Sequence, residues 1–133
     1  MKDSELQGAI VLVRPDLETD PAGKQGKIGV VSYANRLDDI YVNFGNAEGV
    51  YSSDALFKLK NRRELFDELM NGSSLGVKDF KDLYKIGLLQ DIGRPKDIVQ
   101  ALEIARDNPA IWEHALEPTG ETLAQRQTQN VGR

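Results

Sequence analysis

Apolar residues recur in two rhythms along this chain, and the rhythm changes near residue 60. Ala9-Ile10-Val11-Leu12-Val13 is a short, β-branched run bounded by Gly8 and by Arg14-Pro15, which predicts a buried strand. Asp16 to Gly26 holds Pro21, Gly23 and several acids, the make-up of a long surface loop. Lys27 to Tyr33 predicts a second strand, closed by the polar turn Asn35 to Asp39. In Ile40-Tyr41-Val42-Asn43-Phe44 the alternation places Ile40, Val42 and Phe44 on one face and Tyr41 and Asn43 on the other. A turn from Gly45 to Gly49 leads to a short fourth strand, Val50 to Ser52. Ser53 to Leu56 reads as one 3₁₀ turn, and Phe57-Lys58-Leu59 as a fifth strand.

From Asn61 the period becomes about 3.6, that of a helix. Leu65, Phe66, Leu69 and Met70 form one apolar stripe that Asn71-Gly72 stops. Val77, Phe80, Leu83, Tyr84, Gly87 and Leu88 share a side of a second helix, ended by Gly93. A third helix starts at Pro95 and presents Ile98, Ala101, Leu102 and Ala105. Asn108-Pro109 opens a short fourth, marked by Ile111, Trp112, Ala115 and Leu116. Beyond it the chain is polar and without alternation.

Five short strands, a long first loop and a helical turn before the last strand make a recognisable order. Over Gly8 to Lys60 that order resembles the SH3-like small β-barrel. Gly23-Lys24-Gln25-Gly26-Lys27-Ile28-Gly29-Val30-Val31 looks like the glycine-punctuated second strand of KOW-type barrels. The wider spacing, from Gly8 through Gly26, Gly29, Tyr41-Val42, Phe44 and Tyr51 to Leu56, is similar to mind-bomb/HERC-type barrels. The expected fold class is therefore α+β: an SH3-like barrel over 1–60, three or four short helices docked on it over 61–116, and a flexible polar tail over 117–133. Such a resemblance implies a backbone plan and carries no function with it.

The chain has 133 residues, 40% hydrophobic and 29% charged, enough for one ordinary globular core. The net charge is −4. Residues 1–63 hold nine basic and nine acidic side chains against eight and twelve in 64–133, so the acidity belongs to the helical half. There is no cysteine, which excludes disulfides, thiolate nucleophiles and Cys-based metal sites. Nothing near Met1 resembles a signal peptide, and the longest apolar run, Ala9 to Val13, is too short for a bilayer. A soluble cytoplasmic protein without membrane contact is expected.

Candidate chemistry is sparse. His114 has only Glu113 and Glu117 nearby, which reads as an exposed helix pair and not as a metal site. Asp16-Leu17-Glu18-Thr19-Asp20 suggests a calcium loop, yet Pro21 and Lys27 stand where an EF-hand needs glycine and glutamate. It reads instead as a solvated loop, or as an acidic rim beside a ligand groove. Gly23 to Lys27 lacks the spacing of a phosphate loop and enters a strand. Neither Ser52-Ser53 nor Asp38-Asp39 has the partner that nucleophilic or acid–base catalysis requires. The reading is a non-enzyme with no cofactor, no metal and no catalytic residue.

Two features suit binding. Tyr33, Tyr41 and Tyr51 come from consecutive strands and offer stacking surfaces, unless the appended helices cover them. Lys58, Lys60, Arg62 and Arg63 form the densest basic run, placed against the dipole of the helix they begin. Together these seven residues are the expected interaction surface. Another protein is the leading partner; nucleic acid, held by a KOW-like barrel, is the alternative, and a small-molecule enzyme the weakest reading.

Overall fold

The computed structural model describes residues 7–20, 23–35, 39–71 and 75–119. The chain is mixed α+β and divides into two compact units, Met1–Lys58 with Pro118–Arg133, and Leu59–Glu117. Six strands make one sheet: β1 (Ile10–Val13), β2 (Ile28–Ala34), β3 (Ile40–Asn43), β4 (Glu48–Tyr51), β5 (Leu56–Leu59) and β6 (Leu116–Pro118). Their order is β4-β3-β2-β1-β5-β6. The sheet is open, whereas the sequence reading expects a closed five-stranded barrel. The edge of β5 that closure would require is occupied by β6, a strand absent from that reading. Three residues with one apolar side chain show no alternation; such a strand is held by its backbone partners.

In the strand unit, register follows from which side chains must leave water. Val31 pairs with Val42 and Ala34 with Ile40, and all four are buried. With Val11, Val13, Tyr51, Ala55 and Leu56 they form the core on one face of the sheet. Strict alternation would put Tyr33 on that face with Val31. A bulge between them, at Ser32, sets two residues of β2 against one step of β3, so Tyr33 opposes Tyr41 on the outer face. The Ser32 hydroxyl is held on Glu48 Oε2 at 2.8 Å.

A 3₁₀ turn, Ser53–Ala55, leads into β5, where the sequence reading places it. Thr119, in the expected tail, is fully buried and donates its hydroxyl to the Ser53 carbonyl at 2.7 Å. The rest of that tail, 120–133, lies outside the described residues, as do Arg36 to Asp38 of the predicted turn.

The helical unit contains α1 (Arg62–Met70), α2 (Val77–Ile92), α3 (Pro95–Arg106), a 3₁₀ turn (Pro109–Ile111) and α4 (Trp112–Ala115). Asn61 begins α1 with a capping box: its side chain accepts from the Glu64 amide at 2.8 Å, and Glu64 accepts in return from the Asn61 amide at 3.3 Å. That cap offsets the two arginines in the first turn. Gly93 ends α2 at φ +79°, a left-handed position that disfavours any side chain. Arg94 then donates to Asp97 at 2.7 Å, which satisfies a carboxylate that is buried in the first turn of α3. Leu65, Leu83, Ile86, Ala101, Leu102, Ala105, Ile111 and Ala115 are fully buried. The Trp112 indole donates to the Ala105 carbonyl at 2.7 Å, tying α4 to α3. Among the described residues no helix is long and apolar enough to cross a membrane.

One close approach in the sheet is open to test. A Cβ at Gly29 would stand 2.7 Å from Val42 Cγ1 and 2.8 Å from the Asn43 carbonyl oxygen, so β3 would have to shift. Gly29→Ala is expected to lower unfolding free energy by about 2 kcal/mol, measured by urea denaturation, as overpacking against backbone does.

Candidate functional site

The surface that departs most from a closed globular unit lies on α1 and α2. Their sequences carry more apolar side chains than one helix face holds. Leu65, Leu83 and Ile86 take the inner stripe and are fully buried. Phe66 and Met70 on α1, with Val77, Phe80, Tyr84, Leu88 and Ile92 on α2, are between 41% and 73% exposed. The apolar period sets Phe66 and Met70 in one stripe with Leu65, and Phe80, Tyr84 and Leu88 in one with Leu83. Each stripe is split, with half of it turned to solvent. The missed signal was width: on α2 the apolar positions Val77, Phe80, Leu83, Tyr84, Ile86, Leu88, Leu89 and Ile92 exceed the arc of a surface helix with one covered side.

Between the two helices this outer face forms a groove of about 600 Å³. Leu69 and Gly87 line it where the helices approach; a Cβ at Gly87 would meet Leu69 Cδ1 at 3.7 Å. Phe66, Tyr84 and Leu88 are its large apolar walls. Arg62, Arg63, Asp67 and Asp91 ring it, and Arg62 reaches across to Asp91 at 2.8 Å, joining the start of α1 to the end of α2. The groove therefore holds Arg62 and Arg63 from the expected surface. Its apolar walls come from residues of the two predicted helix stripes.

The three tyrosines do not form one surface. Tyr33 is 54% exposed and Tyr41 half-buried, their ring centroids 5.8 Å apart on the outer face of the strand unit. Val50 lies opposite Tyr41 and is exposed as well. Tyr51 opposes Ile40 on the inner face, is 6% exposed and packs edge-on against Phe44. Its hydroxyl donates to Asp20 Oδ2 at 3.0 Å. Burial first, then this contact with Asp20, push the Tyr51 phenol well above its ordinary range, so it serves as a fixed neutral donor.

The basic run is likewise divided. Lys58 lies half-buried on β5. Lys60 is turned inward: its ammonium donates to the Glu113 carbonyl at 2.7 Å and reaches Glu68 Oε2 at 3.4 Å. Glu68 also accepts from His114 Nδ1 at 2.7 Å on its other oxygen, which fixes the histidine as a structural partner. Burial alone would raise the Glu68 carboxyl. The hydrogen bonds from His114 and Lys60, with the charge of Lys60, outweigh it and hold the carboxyl below its usual value.

Chemically the groove offers apolar contact and rim charges. Its lining residues include no hydroxyl–imidazole or thiol–imidazole pair. Among the described residues no group of three or more His, Asp or Glu side chains is placed to hold a metal ion.

The Glu68 contacts have a pH signature. A carboxyl lowered in the folded state stabilises the protein above its unfolded pKa, and that contribution is lost as pH falls through the folded value. Glu68→Gln is expected to be less stable than the native chain by about 1 kcal/mol at pH 7, with the difference closing below pH ~4. Thermal unfolding of both proteins across that range reads it directly. No protein-family model, curated protein or solved structure matches the chain, so its functional reading rests on this geometry.

Proposed function

We propose that this protein is a non-catalytic protein-interaction module that docks a partner's apolar helical surface on the outer face of α1 and α2. The uncovered second stripe of these helices carries the reading. Seven large apolar side chains exposed on two adjacent helices are costly in water, and an apolar surface of this extent suits a protein contact. A groove between antiparallel helices fits the ridge of another helix. Arg62, Arg63, Asp67 and Asp91 supply the polar rim that orients such a contact.

On this reading the strand unit is an SH3-like scaffold. The order β4-β3-β2-β1-β5, with β5 returning beside β1 after a 3₁₀ turn, supports the likeness. The exposed pair Tyr33 and Tyr41 is then a secondary contact surface. The division of the basic run favours a protein partner over nucleic acid: Lys60 is engaged by Glu68 and Arg62 by Asp91, so two of its four cations already face a carboxylate instead of phosphate.

The full-length chain, immobilised and exposed to native lysate, is expected to retain protein that Phe66→Glu loses at least about tenfold, roughly 1.4 kcal/mol of binding. Tyr33→Ser is expected to retain it. Capture indifferent to Phe66→Glu would contradict the assignment of this face. In anisotropy titrations at low salt, labelled single- and double-stranded nucleic acid is expected to show no binding at micromolar protein; tight binding there would favour the alternative partner.

A further inference from the structure

We propose that the partner seated on this face is a second copy of the same chain, related by a two-fold axis passing beside Tyr84. The inference rests on the docking reading above and names its occupant.

Area is the first argument. Given their exposure, the seven side chains present on the order of 700 Å², more than the 300–600 Å² of the largest patch on a typical monomer. It is close to the roughly 800 Å² that each partner contributes to a stable interface of standard size. One copy of this face therefore has the area that a second copy needs.

Symmetry is the second. In a two-fold interface the same patch serves both partners, so it must be complementary to itself when turned end over end. The outer stripe of α2 has that property. Phe80 and Leu88 stand four residues either side of Tyr84, and Val77 and Ile92 stand seven and eight residues from it. Antiparallel pairing centred on Tyr84 sets Phe80 against Leu88 of the second copy and Val77 near Ile92, with Tyr84 meeting its own mate. Phe66 and Met70 on α1 flank the seam and widen it.

Charge is the third. A rim of one sign would repel itself and call for a partner of opposite charge. This rim has two arginines and two aspartates, Arg62, Arg63, Asp67 and Asp91, so it sums to neutral although the whole chain carries −4. At the groove itself self-association meets no net repulsion; the lysines exposed on α2 beside Tyr84, Lys81 and Lys85, lie outside that rim.

Because the chain has no cysteine, one introduced thiol reports on the axis without background. Sedimentation of the full chain is expected to give about twice 14.8 kDa, and Leu88→Glu a monomer with an unchanged circular-dichroism spectrum. Tyr84→Cys is expected to oxidise to a disulfide-linked dimer. Val77→Cys is not, because seven residues on each side of the axis separate its two copies by about 21 Å along the helices, beyond disulfide reach. A native chain that stays monomeric at several hundred micromolar overturns the proposal, as does a dimer that survives Leu88→Glu, or linkage of Val77→Cys as fast as Tyr84→Cys. A monomer that still captures lysate protein in a Phe66-dependent way separates failure of this inference from failure of the docking reading.

Discussion

Helices α1 and α2 are each apolar on more than one side, and the protein cannot hide both sides of either. Their inner stripes are fixed by the buried Leu65, Leu83 and Ile86, and by the close approach of Leu69 to Gly87. Once those contacts are made, helical geometry turns Phe66, Met70, Tyr84 and Leu88 outward, since residues three and four apart share a face and the others cannot follow. The groove is therefore a consequence of packing the inner stripe. Its rim follows as well: with the helices antiparallel, the start of α1 meets the end of α2, and Arg62 reaches Asp91.

The surrounding polar contacts keep this pair in place. Lys60, Glu68 and His114 form one set that ties the chain entering α1 to α4. The Gln90 side-chain amide donates to the Lys60 carbonyl at 2.8 Å and ties the same chain to α2. Asn108 donates to Asp79 and Asp82 and so fixes the end of α3 against the start of α2. His114, which invites a metal-ligand reading, has a positional task of this kind. In the strand unit Asp20 does the same for Tyr51. The titratable groups named here are engaged in packing contacts, and the apolar outer face of α1 and α2 is left exposed.

Much of the fold was legible because short-range signals suffice for it. Gly93, Pro95 and Asn61 mark helix boundaries by backbone chemistry alone, and alternation in Ile40 to Phe44 places the inner face of β3. What was not legible depends on partners distant in sequence. The bulge at Ser32 turns Tyr33 outward, and no local feature distinguishes it from an unbroken strand. Strand β6 is too short to alternate and exists only through its neighbour. At the candidate site the arginines were picked out by charge. Phe66, Tyr84 and Leu88 share their predicted stripes with buried leucines; periodicity says which residues share a face and not whether that face is covered.

The proposed docking requires the outer face of α1 and α2 to be open in the isolated chain and closed by protein in the assembled one. Methyl NMR with a soluble paramagnetic agent measures this most directly. In dilute protein the Val77, Leu88 and Ile92 methyls are predicted to be strongly broadened, and those of Leu65, Leu83 and Ile86 untouched. On assembly the outer set alone should become protected. Outer methyls as shielded as the inner ones in dilute monomer, or equally exposed in every state, would contradict it.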